Sequence, residues 1–136
     1  MLEAHYIPHN HVLKVWGEVE PLISKALKYN YADVTSADAL NLILNQGFKL
    51  WIGADGNEIQ SALLAEFVQY PRKKAMRIVT WATKSGQDYE SWMELFDKIE
   101  DFAKHNGCSL IEAWARKGLA KKLNWEHSYS VVSKNI

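Results

Sequence analysis

Two carboxylates and an arginine are the side chains whose types and settings point most directly to chemistry. Glu66 sits in a largely apolar run at 58–70, and Glu112 in the string SLIEAW at 109–114. Both runs have the alternating, strand-forming character that fixes which face a side chain takes. Glu112 then shares a face with Leu110 and Trp114 of an expected inner strand, with Ile111, Ala113 and Ala115 opposite. A carboxylate in that setting either lines a cleft, where it can accept a proton, or is held by a partner; the sequence leaves both open. Arg116 follows at once, and its fork of donors suits a ligand's carboxylate or phosphate, or a structural ion pair. Metal chemistry has less support. His5, His9 and His11 cluster without an evident third ligand, so a solvated N-terminal segment and no metal are expected. His105 and His127 read as surface or packing residues. No Gly-x-Ser-x-Gly, Walker or glycine-rich dinucleotide string occurs, which removes the usual support for hydrolases and nucleotide enzymes. Cys108 is the sole cysteine, so no internal disulfide forms; a buried structural thiol in a reducing compartment is expected.

The elements that must position these groups centre on residues 76–125. The string MRIVTW at 76–81 alternates as a half-buried strand, and the polar stretch 82–89 reads as a loop. Trp92, Leu95, Phe96, Ile99, Phe102 and Ala103 recur at the three-and-four spacing of one helical face, and Asn106-Gly107 ends that helix. With the strand at 109–114, this predicts two parallel strands joined by a helix. Earlier, residues 9–30 predict a helix broken or kinked between Gly17 and Pro21. A second, short helix is capped at Thr35 and stops at Gly47. A hairpin follows, with strands at 48–52 and 58–70 around a turn at 53–57. Residues 117–123 predict a last short helix, and the alternation of 126–133 (EHSYSVVS) a last strand. The expected order is α-α-β-β-β-α-β-α-β: an α/β fold with a mixed central sheet and helices on both faces, in a single domain over 1–136.

Composition narrows the partners. The sixteen basic and sixteen acidic residues cancel, so no global field draws the chain to nucleic acid or an anionic membrane. The basic run Arg72-Lys73-Lys74 reads as a solvated hairpin turn. Apolar runs are too short to span a bilayer, and the N-terminal stretch lacks the pattern of a signal peptide. Six Trp, six Tyr and four Phe predict a heavily aromatic interior, or a site that uses rings.

Several strings together resemble the GNAT N-acetyltransferase fold, and in particular the small GNAT-like proteins of tailed bacteriophages. They are Trp16 and Glu20-Pro21-Leu22 with Ala26-Leu27, Leu50-Trp51, Ala62 with Glu66, Tyr70-Pro71 and Lys74. Gly86 with Trp92, Asn106-Gly107-Cys108, Ile111-Glu112, Arg116-Lys117-Gly118-Leu119 and Asn124-Trp125 continue the series. The resemblance implies a mixed sheet in which acetyl-CoA, without a metal, lies where two neighbouring strands part. It implies that donors near Val79 and Trp81 meet the thioester, that Ser85, Gly86 and Arg116 serve the phosphates, and that Glu66 or Glu112 accepts a proton from an amine substrate. Two departures are visible. The loop TKSGQDY at 83–89 keeps one glycine of the expected signature, and the family's tyrosine acid falls at Ala120. Two functions therefore stand side by side: an acyl-CoA-dependent N-acyltransferase homologue, or a non-catalytic phage protein, either a virion component or an inhibitor bound to a host protein. Both imply the host cytoplasm or the virion as location.

Overall fold

The computed structural model describes residues 2–28, 33–84, 90–114, 121 and 124–136, with the backbone alone for 90–94. Its framework is an antiparallel meander. Strand β1 (Leu2–Ile7) is followed by a 3-10 turn at His9–His11, and helices α1 (Val12–Leu27) and α2 (Ser36–Leu44) precede β2 (Lys49–Asp55), β3 (Glu58–Gln69) and β4 (Lys74–Thr83). Helix α3 (Glu90–His105) then leads to β5 (Leu110–Ala113). Among the described residues the sheet order is β1-β2-β3-β4-β5, with only β4 and β5 parallel. This is the expected mixed α/β sheet, and the strand–helix–strand unit is the one the spacing predicts.

Alternation along the strands sorts the core into two layers. Leu50, Ile52, Ala62 and Leu64 pack with Val12, Val19 and Ile23 of α1 and with Ala39 and Ile43 of α2. On the opposite face Trp51, Leu63, Ala65, Met76 and Ile78 pack with Leu95, Phe96, Ile99 and Ala103 of α3. The aromatic interior lies in this second layer. Phe102 stands 4.7 Å from Tyr6 and 5.4 Å from Trp51, while Phe96 meets Trp81 edge-on at 5.1 Å. Such tilted pairs add to the area they bury. Trp92 lies among the residues whose side chains are not described.

Both ends of the chain depart from expectation. The N-terminal segment is a strand: Leu2, Ala4 and Tyr6 face the α3 layer, while Glu3 and His5 face solvent. To pair with it, β2 runs on to Asp55, which confines the hairpin turn to Gly56-Asn57, with Gly56 at φ +61°. At the other end no strand forms over 126–133; those residues are irregular and mostly exposed. Alternation alone supplies no partner for its backbone groups. The expected helix at 117–123 falls largely outside the described residues. Helix α1 also runs without interruption through Pro21.

Helix ends follow the residues that mark them. Thr35 and Asp38 form a reciprocal capping box, each side chain accepting the other's backbone N–H at 3.1 Å. At the far end of α3, Gly107 takes φ +82° and Cys108 N–H closes on Ala103 at 2.9 Å. Cys108 is buried, and burial pushes its thiol up, with Lys74 partly offsetting.

Candidate functional site

Strand register brings the two sequence-marked carboxylates onto one arginine. Glu66 of β3 lies opposite Arg77 of β4, and Arg77 lies opposite Glu112 of β5, so the three form one row on one face. Arg77 donates from Nη1 to Glu66 Oε1 at 3.3 Å, and its Nε stands 3.9 Å from Glu112 Oε2. Tyr70 donates to Glu112 Oε1 at 2.6 Å and receives a longer contact of 3.4 Å from Arg77 Nη2. The guanidinium carbon lies 4.4 Å from the centre of the Trp114 ring, within cation–π range. Side-chain exposures of 19% for Arg77, 22% for Glu112 and 32% for Glu66 put the row at the surface of the sheet, half shielded from solvent.

Glu112 is thus both at an edge and paired, since β5 is the last strand of the sheet among the described residues and not an inner one. Sequence alone assigns Arg77, Tyr70 and Trp114 no place in the site, although Trp114 falls on the face of Glu112. The string MRIVTW gives Arg77 no distinguishing spacing, and register, which no spacing along one strand reveals, makes it the hub.

Immediately beyond the row the described pairing of the two parallel strands ends. Their ladder runs from Ala75/Leu110 to Ile78/Ala113; Trp114 then leaves the strand while β4 continues to Thr83. At the same level β4 carries a bulge. Leu64 is opposite Thr80 and Ala65 opposite Ile78, so Val79 is the inserted residue. Bulges re-aim the chain locally and break its alternation. Val79 accordingly packs with the α1–α2 layer, and Trp81, two residues on, packs in the α3 layer against Phe96. A small apolar cavity beside Trp81 is lined by Trp51, Leu63, Leu95 and Phe96.

Of the other sequence-marked residues, Ser85, Gly86 and Arg116 lie outside the described residues. His5, His9 and His11 are all exposed, and no group of three metal-ligating side chains converges among the described residues. Lys84, at the mouth of the loop, pairs with Glu58 at 3.3 Å.

No family model and no curated protein matches the sequence. Solved structures do. An aminoglycoside acetyltransferase from an uncultured soil metagenomic sample, solved with sisomicin, is 17% identical with a TM-score of 0.74, covering 99% of this chain and 95% of that one. A ribosomal-protein-alanine N-acetyltransferase from Brucella melitensis biovar Abortus reaches the same TM-score at 11% identity, covering 100% and 99%. A GNAT family acetyltransferase from Staphylococcus aureus gives 0.67 at 13% identity, covering 99% and 98%. At such identities the likeness concerns architecture, and the architecture is the GNAT fold.

Proposed function

We propose that this chain is an acyl-CoA-dependent N-acyltransferase homologue that holds the thioester where β5 leaves β4. The observation that carries this reading is that the β4–β5 ladder ends at Ile78/Ala113, level with the bulge at Val79, while β4 continues. An opening between parallel strands at their carboxyl ends is where ligands enter α/β sheets. The solved structures of like fold include acetyltransferases, one of them in complex with the amine sisomicin, which supports an amine as acceptor.

The cofactor would supply an activated acyl group. To the protein we assign the remaining work. Backbone donors at Val79 would meet the thioester carbonyl, with Trp81 beside them, and Ser85, Gly86 and Arg116 would serve the phosphates. Glu112 accepts from Tyr70 and faces the Arg77 guanidinium at 3.9 Å without a hydrogen bond to it, which suits a positioning role. Glu66 accepts from Arg77 through one oxygen only. Its second oxygen would take the proton released as the amine attacks, directly or through one water.

The loop favours a second reading. Asp88 and Glu90 bring negative charge to the stretch meant for pyrophosphate, which suits a non-catalytic phage protein that acts by binding. Such a protein would work in the host cytoplasm or the virion. Titration with acetyl-CoA decides between the two. Weak but saturable binding, competed by desulfo-CoA, supports the transferase homologue, with Glu66→Gln expected to leave that binding unchanged. No binding at any attainable concentration overturns it, and pull-down from host lysate then tests the second reading.

A further inference from the structure

Zero net charge hides a separation of charge along the strands. Four segments meet at one end of the sheet. Ile7 of β1 lies opposite Leu50 of β2, Gln69 of β3 opposite Lys74 of β4, and Ala75 opposite Leu110 of β5, which follows the end of α3. Residues 4–17, 41–54, 67–76 and 102–111, which supply this end, contain no Asp or Glu. They contain Lys14, Lys49, Arg72, Lys73, Lys74 and Lys104. The opposite end of the sheet carries exposed Glu3, Asp55 and Glu58. Strand β4 spans ten residues, so the two ends stand roughly 30 Å apart, about three Debye lengths at 0.1 M salt. At that distance the acidic end does not cancel the basic one.

Two of the six cations have a structural task. Lys49 Nζ donates to Gln46 O at 3.0 Å, just past α2, and Lys74 Nζ to Asn106 O at 2.7 Å, just past α3. Both stand over the Phe67 ring, at 5.9 and 4.6 Å. Cations suit the negative ends of helix dipoles, which accounts for this pair. It does not account for Lys14, Arg72, Lys73 and Lys104, all of them exposed. Among the described residues none of the six pairs with a carboxylate. Nor does the proposed thioester site explain them, because it lies at the other terminus of β4.

We propose that this end docks on the phosphate backbone of a nucleic acid duplex, without reading its bases. A surface of one sign attracts a polyanion, and the bound cations release the counterions condensed on it. Five of the six cations are lysines, point charges that suit phosphates, whereas protein interfaces are depleted in lysine. Arg72 and Lys73 sit side by side in the tight turn between β3 and β4, closed by Tyr70 N–H on Lys73 O at 2.8 Å. No aromatic side chain in the four segments is exposed, so the end offers no platform on which single-stranded bases could stack. The same lack weighs against a bilayer, where exposed aromatics commonly anchor. Exposed Leu13, Leu42 and Leu44 on α1 and α2 nonetheless make an anionic bilayer the rival occupant.

The test is fluorescence anisotropy of a short labelled DNA duplex of random sequence, titrated with the full chain at several salt concentrations. Saturable binding is expected, with a log–log salt slope of roughly −3.5 to −5.5 for four to six phosphates. Arg72→Glu with Lys73→Glu is expected to weaken binding at least tenfold and to flatten the slope by about two units. Lys25→Glu with Lys28→Glu makes the same change in net charge at the far end of α1, and is expected to have little effect. Lys104→Glu, on a different element from the turn, is expected to weaken binding severalfold, with the near-ultraviolet circular dichroism unchanged. Absence of binding at low salt overturns the proposal, and so does an equal loss from the two double variants. Tighter binding to vesicles of mixed phosphatidylcholine and phosphatidylserine than to the duplex overturns it in favour of the bilayer.

Discussion

Tyr70 and Glu112, on the turn after β3 and on β5, are joined by a hydrogen bond of 2.6 Å that closes the sheet's last two strands around Arg77. A charge-assisted bond in a half-shielded setting stabilises more than a neutral one, though solvent reduces it. Tyr70→Phe should therefore destabilise by about 1–2 kcal/mol in urea unfolding, by the measured worth of bonds to charged groups. Glu112→Gln combined with it should cost less than the sum of the two, because each removes the same bond. Additive effects would mean that the two side chains do not act on one another.

The core under α3 gives a larger number. Phe96 is buried, meets Trp81 at 5.1 Å and Trp125 at 5.9 Å, and packs with Leu95 and Ile99 against the sheet. Phe96→Ala removes that burial and leaves a cavity, for an expected loss of roughly 3–5 kcal/mol. A change within about 0.5 kcal/mol would show that the face tolerates exposure.

That helix was legible in the sequence because Leu95, Phe96, Ile99 and Phe102 repeat strictly and Asn106-Gly107 ends the run. Local signals of this kind survive folding. What escaped was relational. Strand β1 alternates plainly through Leu2, Ala4 and Tyr6, but three histidines nearby made it look solvated. Residues 126–133 alternate as well, and lack a partner. The sequence marks Glu66 and Glu112 but not Arg77 between them, since the row exists only in the register of three strands. A one-residue slip of any strand would put its member on the other face.

Strong acid should weaken the start of α2. Hydrogen bonds from the Thr35 backbone N–H and then its side chain hold the Asp38 carboxyl below its ordinary value of 3.8. A carboxyl lowered on folding contributes stability above its unfolded pKa, and loses it as pH falls through the folded one. The cap should hold from neutral pH down to that ordinary value and weaken below it. Asp38→Ala should thus lower the melting temperature at pH 7, and the gap to the parent protein should close on strong acidification. A gap that widens in acid would contradict the capping box.

The last expectation concerns affinity, and it is one of weakness. Several converging N–H groups hold a pyrophosphate in an intact glycine-rich loop, each charge-assisted bond worth roughly 1.5–3 kcal/mol. Thr83, Lys84 and Ser85 bring side chains where glycine would allow close approach. Asp88 and Glu90 add repulsion, and Lys84, the nearest cation in sequence, is engaged with Glu58 at 3.3 Å. Losing two contacts costs roughly 3–6 kcal/mol, which turns a micromolar ligand into a high-micromolar to millimolar or weaker one. Acetyl-CoA should therefore bind no better than high micromolar in calorimetry, with turnover on generic amines below detection. Glu58→Gln frees Lys84 for the phosphates and should tighten binding severalfold at low salt, an effect that added salt removes. Low-micromolar binding by the unaltered chain, abolished by Gly86→Pro, would show instead that one glycine suffices for the loop.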